Sequence, residues 1–394
     1  MKPSDLSAAL AKLEADFLKR ERKTPENPCG PEMLLNGRKL VAFASNDYLG
    51  LANDDALKQG AIRAITQWGV GAGASQLVSG RLGIFATLEQ ACADFAQREA
   101  ALYFPSGFLA NLGVLTALAD RHDVIFADRI NHASLIDGAL LSRAQHVRYQ
   151  HTDMDDLARK LANTTVAPGA ARLIVTDSVF SMDGDEAPLK AMLDLAIQYD
   201  AWLIVDDAHG LGVLGPQGRG SIADASLPAH PNLVMIGTLG KAAGVSGAFV
   251  AGSRDLVQWL IQRARTYIYT TGASPMIAGA LLASLQRILQ GDDLRTRLND
   301  NIAQFRAGIT ALNFPYTLLP SRTGIQALVI GDNEATLKIA SQLLEQGYWV
   351  PAIRPPTVAA GSARLRISLS AAHTPAHIQG LIQGLAKAIG SACQ

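Results

Sequence analysis

The sequence predicts an α/β protein, with a large domain built on a mainly parallel sheet and a smaller C-terminal α/β domain after it. Three observations lead there. From about Ala101 onward, short apolar runs alternate with longer segments of helical periodicity. Runs such as Leu203 to Val205 and Leu233 to Ile236 are apolar at consecutive positions, as strands covered on both faces of a parallel sheet are. Polar residues gather where these runs end, and in open parallel sheets ligands bind beyond the carboxyl ends of the strands.

Residues 1–45 form a leading segment. From Met1 to Lys23 the acids Asp5, Glu14 and Asp16 interleave with apolar residues at helical spacing, which predicts an amphipathic helix and is unlike an export signal or an acid-poor transit peptide. Residues 46–274 form the large domain. Its strands are expected in ALYF, DVIFAD, RLIVTDSVF, AWLIVDDAHG, LVMIGTLGK and GAFVAGS, each bounded by Gly, Asp, Ser or Pro, and Arg254 to Thr270 reads as a helix. The boundary is placed at Ser274 and Pro275. In residues 275–394, GIQALVIG and RLRISLS read as strands, while Thr374 and Pro375 supply an N-cap and a first-turn proline for a final helix.

Composition excludes several classes. The chain has 394 residues, 48% hydrophobic and 18% charged, enough to bury a large core. Its 35 basic side chains balance 35 acidic ones, so no global field draws it to nucleic acid or to an anionic membrane, and any anionic ligand must be held locally. Cys29, Cys92 and Cys393 lack CxxC spacing and nearby paired histidines, so neither a disulfide framework nor a metal site is indicated and a reducing cytoplasm is expected. The apolar stretch Ala273 to Leu285 contains Pro275 and falls short of the ~20 residues that cross a bilayer.

The chemistry concentrates at the run ends. Lys241 follows LVMIGTLG and precedes the small residues Ala242, Ala243, Gly244, Ser246 and Gly247; alone, such a lysine would be a loop residue snorkelling to water. Upstream, Asp206 and His209 end another buried run. A metal pair would need further ligands that GLGVLGPQGRG does not offer. A pyridine cofactor explains the spacing better: the acid keeps the ring nitrogen protonated and the imidazole reaches the phenolic oxygen. Ser106, Gly107 and Phe108 link a strand to a helix, so the Gly107 and Phe108 amides are placed to face a phosphate, although a plain tight turn would look the same. His132 follows another run and is suited to stacking on a flat ring. Gly69 to Ala74 formally fits a dinucleotide-binding glycine fingerprint, but the preceding AIRAITQW has helical rather than strand periodicity.

SNDYLG (45–50), NHASLIDG (131–138), VFSMDGD (179–185), DDAHGLGVLGPQGRG and TLGKAAGVSG together resemble the α-oxoamine synthases, from about Arg20 to His373. The resemblance implies the fold type I architecture of aspartate aminotransferase, pyridoxal 5′-phosphate as cofactor, decarboxylative condensation of an amino acid with an acyl thioester, and a homodimer with active sites at the subunit interface. It assigns Lys241 as the covalent anchor of the cofactor, Asp206 as partner of the pyridine nitrogen, His209 and Ser181 as groups near the ring hydroxyl, His132 as the stacking residue, and Gly107, Phe108 and Thr238 as the phosphate cradle. Asn46, Arg354, Thr357, His132 and an N-terminal arginine (Arg20 by spacing, with Arg22 its close alternative) match substrate contacts, and Thr270 and Thr271 match residues that reach the phosphate of the partner subunit. LVSG (77–80), GVSGAFVAGS, YIYTT and IRPPTV are similar to members that take L-alanine and pimeloyl-CoA or a pimeloyl carrier protein. Sister reactions of glycine with acetyl-CoA or succinyl-CoA, or of serine with a long acyl chain, share the same core residues; a plain aminotransferase or a non-catalytic subunit of the same fold is the more distant alternative.

Overall fold

The computed structural model describes residues 2–392; Met1, Cys393 and Gln394 lie outside them. The chain divides into two units, a large one of Leu49–Ser181 and Asp185–Arg295 and a small one of Met1–Tyr48, Met182–Gly184 and Thr296–Gln394.

The large unit holds one seven-stranded sheet: β1 (Ala100–Phe104), β2 (Val124–Asp128), β3 (Gln145–Tyr149), β4 (Arg172–Asp177), β5 (Ala201–Asp206), β6 (Leu233–Thr238) and β7 (Ala248–Gly252). Their spatial order is β1-β7-β6-β5-β4-β2-β3. The pairs from β3 through β6 are parallel, and β7 is antiparallel to both β6 and β1. Six strands therefore end on one edge, and β7 begins there. The register sets Asp177 beside Asp206 and Thr238 beside Ala248. Parallel neighbours need crossovers, supplied by α1 (Gly107–Leu118), α2 (Ala133–Ser142), α3 (Met154–Asn163) and α4 (Leu189–Gln198).

All six apolar runs read from the sequence are strands of this sheet. Phe104, Val114, Leu115, Ile125, Leu173, Val175, Ile204, Val234, Ile236 and Val250 are buried in one cluster between β-strands and helices. Burial of each such side chain contributes about 1.5–3 kcal/mol, which fixes the strand ends relative to one another. The strand that the sequence did not signal is β3: an edge strand, QHVRY, whose side chains are mostly partly exposed and mostly polar.

In the small unit, Glu32–Leu35 and Arg38–Ala42 pair as a hairpin across Asn36 and Gly37, both at positive φ as a two-residue turn demands. A four-stranded antiparallel sheet runs Thr317–Leu318, Ile325–Gly331, Ala363–Ser368, Ala352–Ile353 in spatial order. The final helix, Pro375–Ala392, begins as its sequence implies, with the His377 N–H donating to Thr374 Oγ1 at 3.2 Å.

Three expectations need correction. The leading helix is only Leu6–Ala15: Phe17 turns to φ +55°, and the charged segment beyond it has no apolar face to continue a helix. Arg254 to Thr270 is two helices, Arg254–Arg263 and Arg265–Ile268, broken where Ala264 extends to ψ 100°. The division between units falls at Arg295/Thr296 rather than 274/275, because the helix Pro275–Leu289 lies along Asp55–Trp68 in the large unit. The two helices meet glycine to glycine: a Cβ on Gly60 would come within 2.4 Å of the Gly279 carbonyl oxygen. Gly69 caps Asp55–Trp68, so the 69–74 glycines follow a helix and are not a strand–turn–helix fingerprint. Among the described residues no helix is long and apolar enough to cross a membrane.

Backbone cannot yield as a flexible side chain does, so Gly60→Val forces these helices apart. A destabilisation of about 1–3 kcal/mol is expected, read as a lower urea midpoint than wild type; an unchanged midpoint would contradict this packing.

Candidate active site

The carboxyl edge of the large sheet gathers every cofactor residue assigned from the sequence: Gly107 and Phe108 after β1, His132 after β2, Ser181 beyond β4, Asp206 and His209 at and after β5, and Thr238 and Lys241 at and after β6.

Ser106 caps α1, its Oγ accepting the Leu109 N–H at 3.2 Å while its carbonyl accepts from Ala110. The Gly107 and Phe108 N–H groups remain as helix-terminal donors. A Cβ on Gly107 would lie 2.6 Å from Thr238 Oγ1, so the missing side chain is what lets the helix start and the threonine hydroxyl share one cradle. Backbone donors, a helix N-terminus and a hydroxyl are the donor set of a phosphate site.

Asp206 is buried, 5% exposed, and both its oxygens accept: Oδ1 from the Ala208 N–H at 3.0 Å and Oδ2 from Asn111 Nδ2 at 2.6 Å. Asp177, its neighbour across the β4–β5 pair, accepts the His132 N–H at 2.7 Å. Burial, with the adjacent Asp206 charge, raises the Asp177 pKa well above the usual carboxylate range. His209 is buried, 5% exposed. His132 is exposed overall, but desolvation around its ring lowers its pKa, Asp206 opposes that shift and the positive charge of Lys241 adds to it. Its imidazole is neutral near pH 7.

Lys241 sits in the loop from β6 into β7, the one reversed strand. Hydrogen bonds within the loop (Leu239 N–H to Gly247 O, 2.8 Å; Gly244 N–H to Lys241 O, 2.8 Å; Val245 N–H to Leu239 O, 3.1 Å) make it rigid. The small residues after Lys241 are required by this fit. Gly247 has φ +94°, and a Cβ there would lie 2.4 Å from the Tyr103 hydroxyl.

The Ser181 loop is tied down by groups the sequence reading did not single out. His151 bridges two acids, Nδ1 to Asp128 at 3.1 Å and Nε2 to Asp185 at 2.6 Å, and its ring meets Phe180 edge-on. Burial alone would lower the His151 pKa, but the hydrogen bonds and charges of Asp128 and Asp185 outweigh it and push it up to about 9. Asn111, Ser134 and Asp177 were missed as well. Asn111 lies inside the apolar helix GFLANLGVLTAL, where only a wholly buried amide amid small and aliphatic residues hints at a polar task.

Of the substrate residues assigned from the sequence, His132 lies in the large unit, and Arg20, Asn46, Arg354 and Thr357 lie in the small unit. Arg20 Nη2 donates to Thr357 Oγ1 at 3.4 Å across 337 residues of sequence, a contact that favours Arg20 over Arg22. Arg354 donates through Nη1 to the Phe17 carbonyl, and its buried Nε has no hydrogen-bond partner. Desolvation, then the charge of Arg20, lowers the Arg354 pKa, so the two guanidiniums are close enough to repel. Both line a cavity of about 660 Å³ with Thr357, Trp349 and Leu344. Asn46 Oδ1 instead accepts from Arg366 Nη2 at 3.1 Å and from the Tyr48 hydroxyl at 3.2 Å.

Residues 38–385 match the family model for aminotransferase class I and II. The chain is 54% identical over 387 residues to the 8-amino-7-oxononanoate synthase of Azoarcus sp. (strain BH72), covering 96% of this chain and 98% of that relative. Among solved structures it is similar to a serine palmitoyltransferase from S. paucimobilis with PLP bound, at TM-score 0.92 and 29% identity over 98% of this chain and 97% of the other. An 8-amino-7-oxononanoate synthase from Francisella tularensis superposes at TM-score 0.76 with 31% identity, over 90% of this chain and 99% of that one.

The His151 bridge gives a pH signature. A folded-state pKa of about 9, raised from 6.5, contributes stability that is fully present below pH 6.5 and lost as pH rises through 9. Its size, discounted for solvent screening of a partly exposed ring, is on the order of 1–2 kcal/mol. His151→Gln is expected to lower the urea midpoint at pH 6 and to flatten its fall between pH 6.5 and 9; a variant with the wild-type slope would refute the assignment.

Proposed function

We infer the reaction from the premise that this chain belongs to the class I and II aminotransferase family and, within it, to the 8-amino-7-oxononanoate synthases. It condenses L-alanine with a pimeloyl thioester, carried on coenzyme A or on a carrier protein, to give 8-amino-7-oxononanoate, CO2 and the free thiol, a step of biotin biosynthesis that uses pyridoxal 5′-phosphate. The observation that carries this reading is the convergence of Lys241, the clamped Asp206 and the Gly107–Thr238 cradle on one sheet edge.

The residues present fit that cofactor. Gly107, Phe108 and Thr238 would hold its phosphate, Asp206 its pyridine nitrogen, His209 and Ser181 its ring oxygen, His132 one ring face and Lys241 its aldehyde carbon. When bound, the cofactor supplies a conjugated cationic ring that delocalises the electrons left when a bond to the amino acid Cα breaks. Asp206, its geometry fixed by Asn111 and Ala208, would accept the ring N–H and so favour the protonated pyridine. With the alanine amine at the cofactor's aldehyde carbon, the Lys241 Nζ would be the general base that takes the Cα proton. The carbon would then attack the thioester carbonyl, the C–S bond breaking to release a thiolate that takes a proton from solvent, and the alanine carboxylate would leave as CO2. The proton that Lys241 took would return to Cα, so that the sum consumes one solvent proton. Arg354, with its unpartnered Nε, and Arg20 on Thr357 are assigned to carboxylate recognition, where guanidinium geometry suits two-point capture. Asn46, held by Arg366 and Tyr48, is assigned a substrate contact.

The working form is assigned as a homodimer in the cytoplasm. Val70, Val78 and Tyr269 are 72%, 79% and 71% exposed in the single chain. Their segments are joined by the Ser75–Thr271 bridge and by the Gly272 N–H on Ala74 O at 2.9 Å. Exposed apolar groups on adjoining segments support a subunit contact near Thr270 and Thr271.

Purified holoenzyme given L-alanine and pimeloyl-CoA is expected to release thiol and form 8-amino-7-oxononanoate by mass spectrometry, with Lys241→Ala slower by about 10²–10⁴-fold. Turnover with glycine and acetyl-CoA but none with L-alanine would overturn the substrate assignment. Val78→Asp is expected to shift sedimentation toward the 41.7 kDa single chain; an unaltered dimer would remove Val78 from the contact.

A further inference from the structure

Four polar side chains of the large unit make one continuous chain of short hydrogen bonds. Asp206 Oδ2 lies 2.6 Å from Asn111 Nδ2, the same Nδ2 lies 2.7 Å from Ser134 Oγ, and Ser134 Oγ lies 2.7 Å from His132 Nδ1. Asn111 and Ser134 are fully buried, so water does not compete for these groups. We propose that Asn111 and Ser134 are positioning residues that relay from Asp206 to His132 and fix His132 as the neutral tautomer with its proton on Nε2. The proposal rests on the assignment of Asp206 and His132 to the cofactor site and adds the link between them.

The direction of every hydrogen follows from the acid. A carboxylate oxygen only accepts, and Asp206 Oδ1 already takes the Ala208 N–H at 3.0 Å. The Asn111 amide must therefore present its NH2, not its oxygen, to Oδ2. With one amide hydrogen on Asp206, the other goes to Ser134 Oγ. Ser134 then accepts from Asn111, and its single hydroxyl hydrogen is left for His132 Nδ1. A second donor reaches the same atom, the Ser134 backbone N–H at 3.3 Å. Two donors converging on Nδ1 require it to be an acceptor, and a neutral imidazole with an accepting Nδ1 carries its hydrogen on Nε2.

Two further observations agree. The Asn111 Oδ1 is buried with no hydrogen-bond partner. Turning the amide over would give that oxygen the Ser134 hydroxyl but would set it against Asp206 Oδ2, so the orphaned oxygen marks the orientation that the carboxylate imposes. The charged groups acting on His132 are Asp206, Lys241 and Asp137, and their balance with desolvation lowers its pKa, which keeps the ring neutral as the relay requires. A neutral His132 adds no positive charge beside a protonated pyridine, and its Nε2–H is a donor of fixed orientation at the site.

The test reads the tautomer directly, by 15N NMR of the holoenzyme labelled at histidine, with His132 assigned from the resonances lost in His132→Gln. At neutral pH the wild type is expected to show Nδ1 at the shift of an unprotonated nitrogen and Nε2 at that of a protonated one. In Ser134→Ala, which removes the hydroxyl link and leaves Asp206 untouched, the two shifts are expected to move toward each other as the tautomers mix. A wild-type His132 protonated on Nδ1 would overturn the relay, and so would a Ser134→Ala variant with unchanged shifts. The wild-type result stands even if the variant fails to fold. Because the tautomer is read whether or not product forms, failure of the assigned reaction and failure of the relay are separate results.

Discussion

A carboxylate buried at the end of a parallel strand must find donors, and the donors that Asp206 has found organise the edge of the large sheet. One oxygen takes the N–H two residues on, which turns the chain sharply after β5 toward His209. The other takes Asn111, which lies on α1, the helix whose first turn also presents the Gly107 and Phe108 amides. The same acid thus fixes the loop after its own strand and the seating of the helix that carries the anion cradle. Asp177 is the counterpart: adjacent in register, its carboxyl pushed above the usual range by burial and by the Asp206 charge, it holds the His132 backbone.

The second constraint is the reversal of β7. Because β7 runs against β6 and β1, the chain returns directly over the carboxyl edge instead of crossing the sheet through a helix. That return is the Lys241 loop, closed by three internal hydrogen bonds and packed so tightly that a Cβ on Gly244 would meet Leu51 and Ala52 backbone at 2.6 Å. A lysine on a solvated loop keeps many rotamers. One on a rigid, half-buried loop is preorganised, which an anchor that later serves as a base requires.

Much of this was legible in the sequence because its signals are local. Doubly buried strands announce themselves as consecutive apolar residues, and the groups at their ends are read by position alone, so the sheet and its ring of polar side chains followed from AWLIVDDAHG and LVMIGTLGK. The edge strand β3 gave no such signal, since half of QHVRY faces away from the core. Asn111 and Ser134 were not legible for another reason. Their task is defined by partners 95 and 23 residues from Asn111, and the helix around Asn111 is otherwise an ordinary apolar one. The leading helix was overextended because charged residues at helical spacing continue past Ala15, whereas the apolar face does not, and Phe17 leaves the helix at φ +55°.

The two sets of groups proposed to recognise anions differ in kind, and the difference follows from what each would have to do. The cradle at Gly107 and Thr238 is built from backbone N–H groups, a helix terminus and a hydroxyl, all fixed by the fold and without conformational entropy to lose on binding. Such a site suits a phosphate that stays bound through many turnovers. The small unit instead offers Arg20 and Arg354, long side chains; desolvation, then the charge of Arg20, lowers the Arg354 pKa, and its buried Nε has no hydrogen-bond partner. Two guanidiniums held together without an anion are unfavourable until a carboxylate arrives, so their interaction with it relieves repulsion as well as forming bonds. The chain's zero formal net charge makes both devices necessary: with no long-range field to concentrate anions, each has to be recognised by groups that touch it.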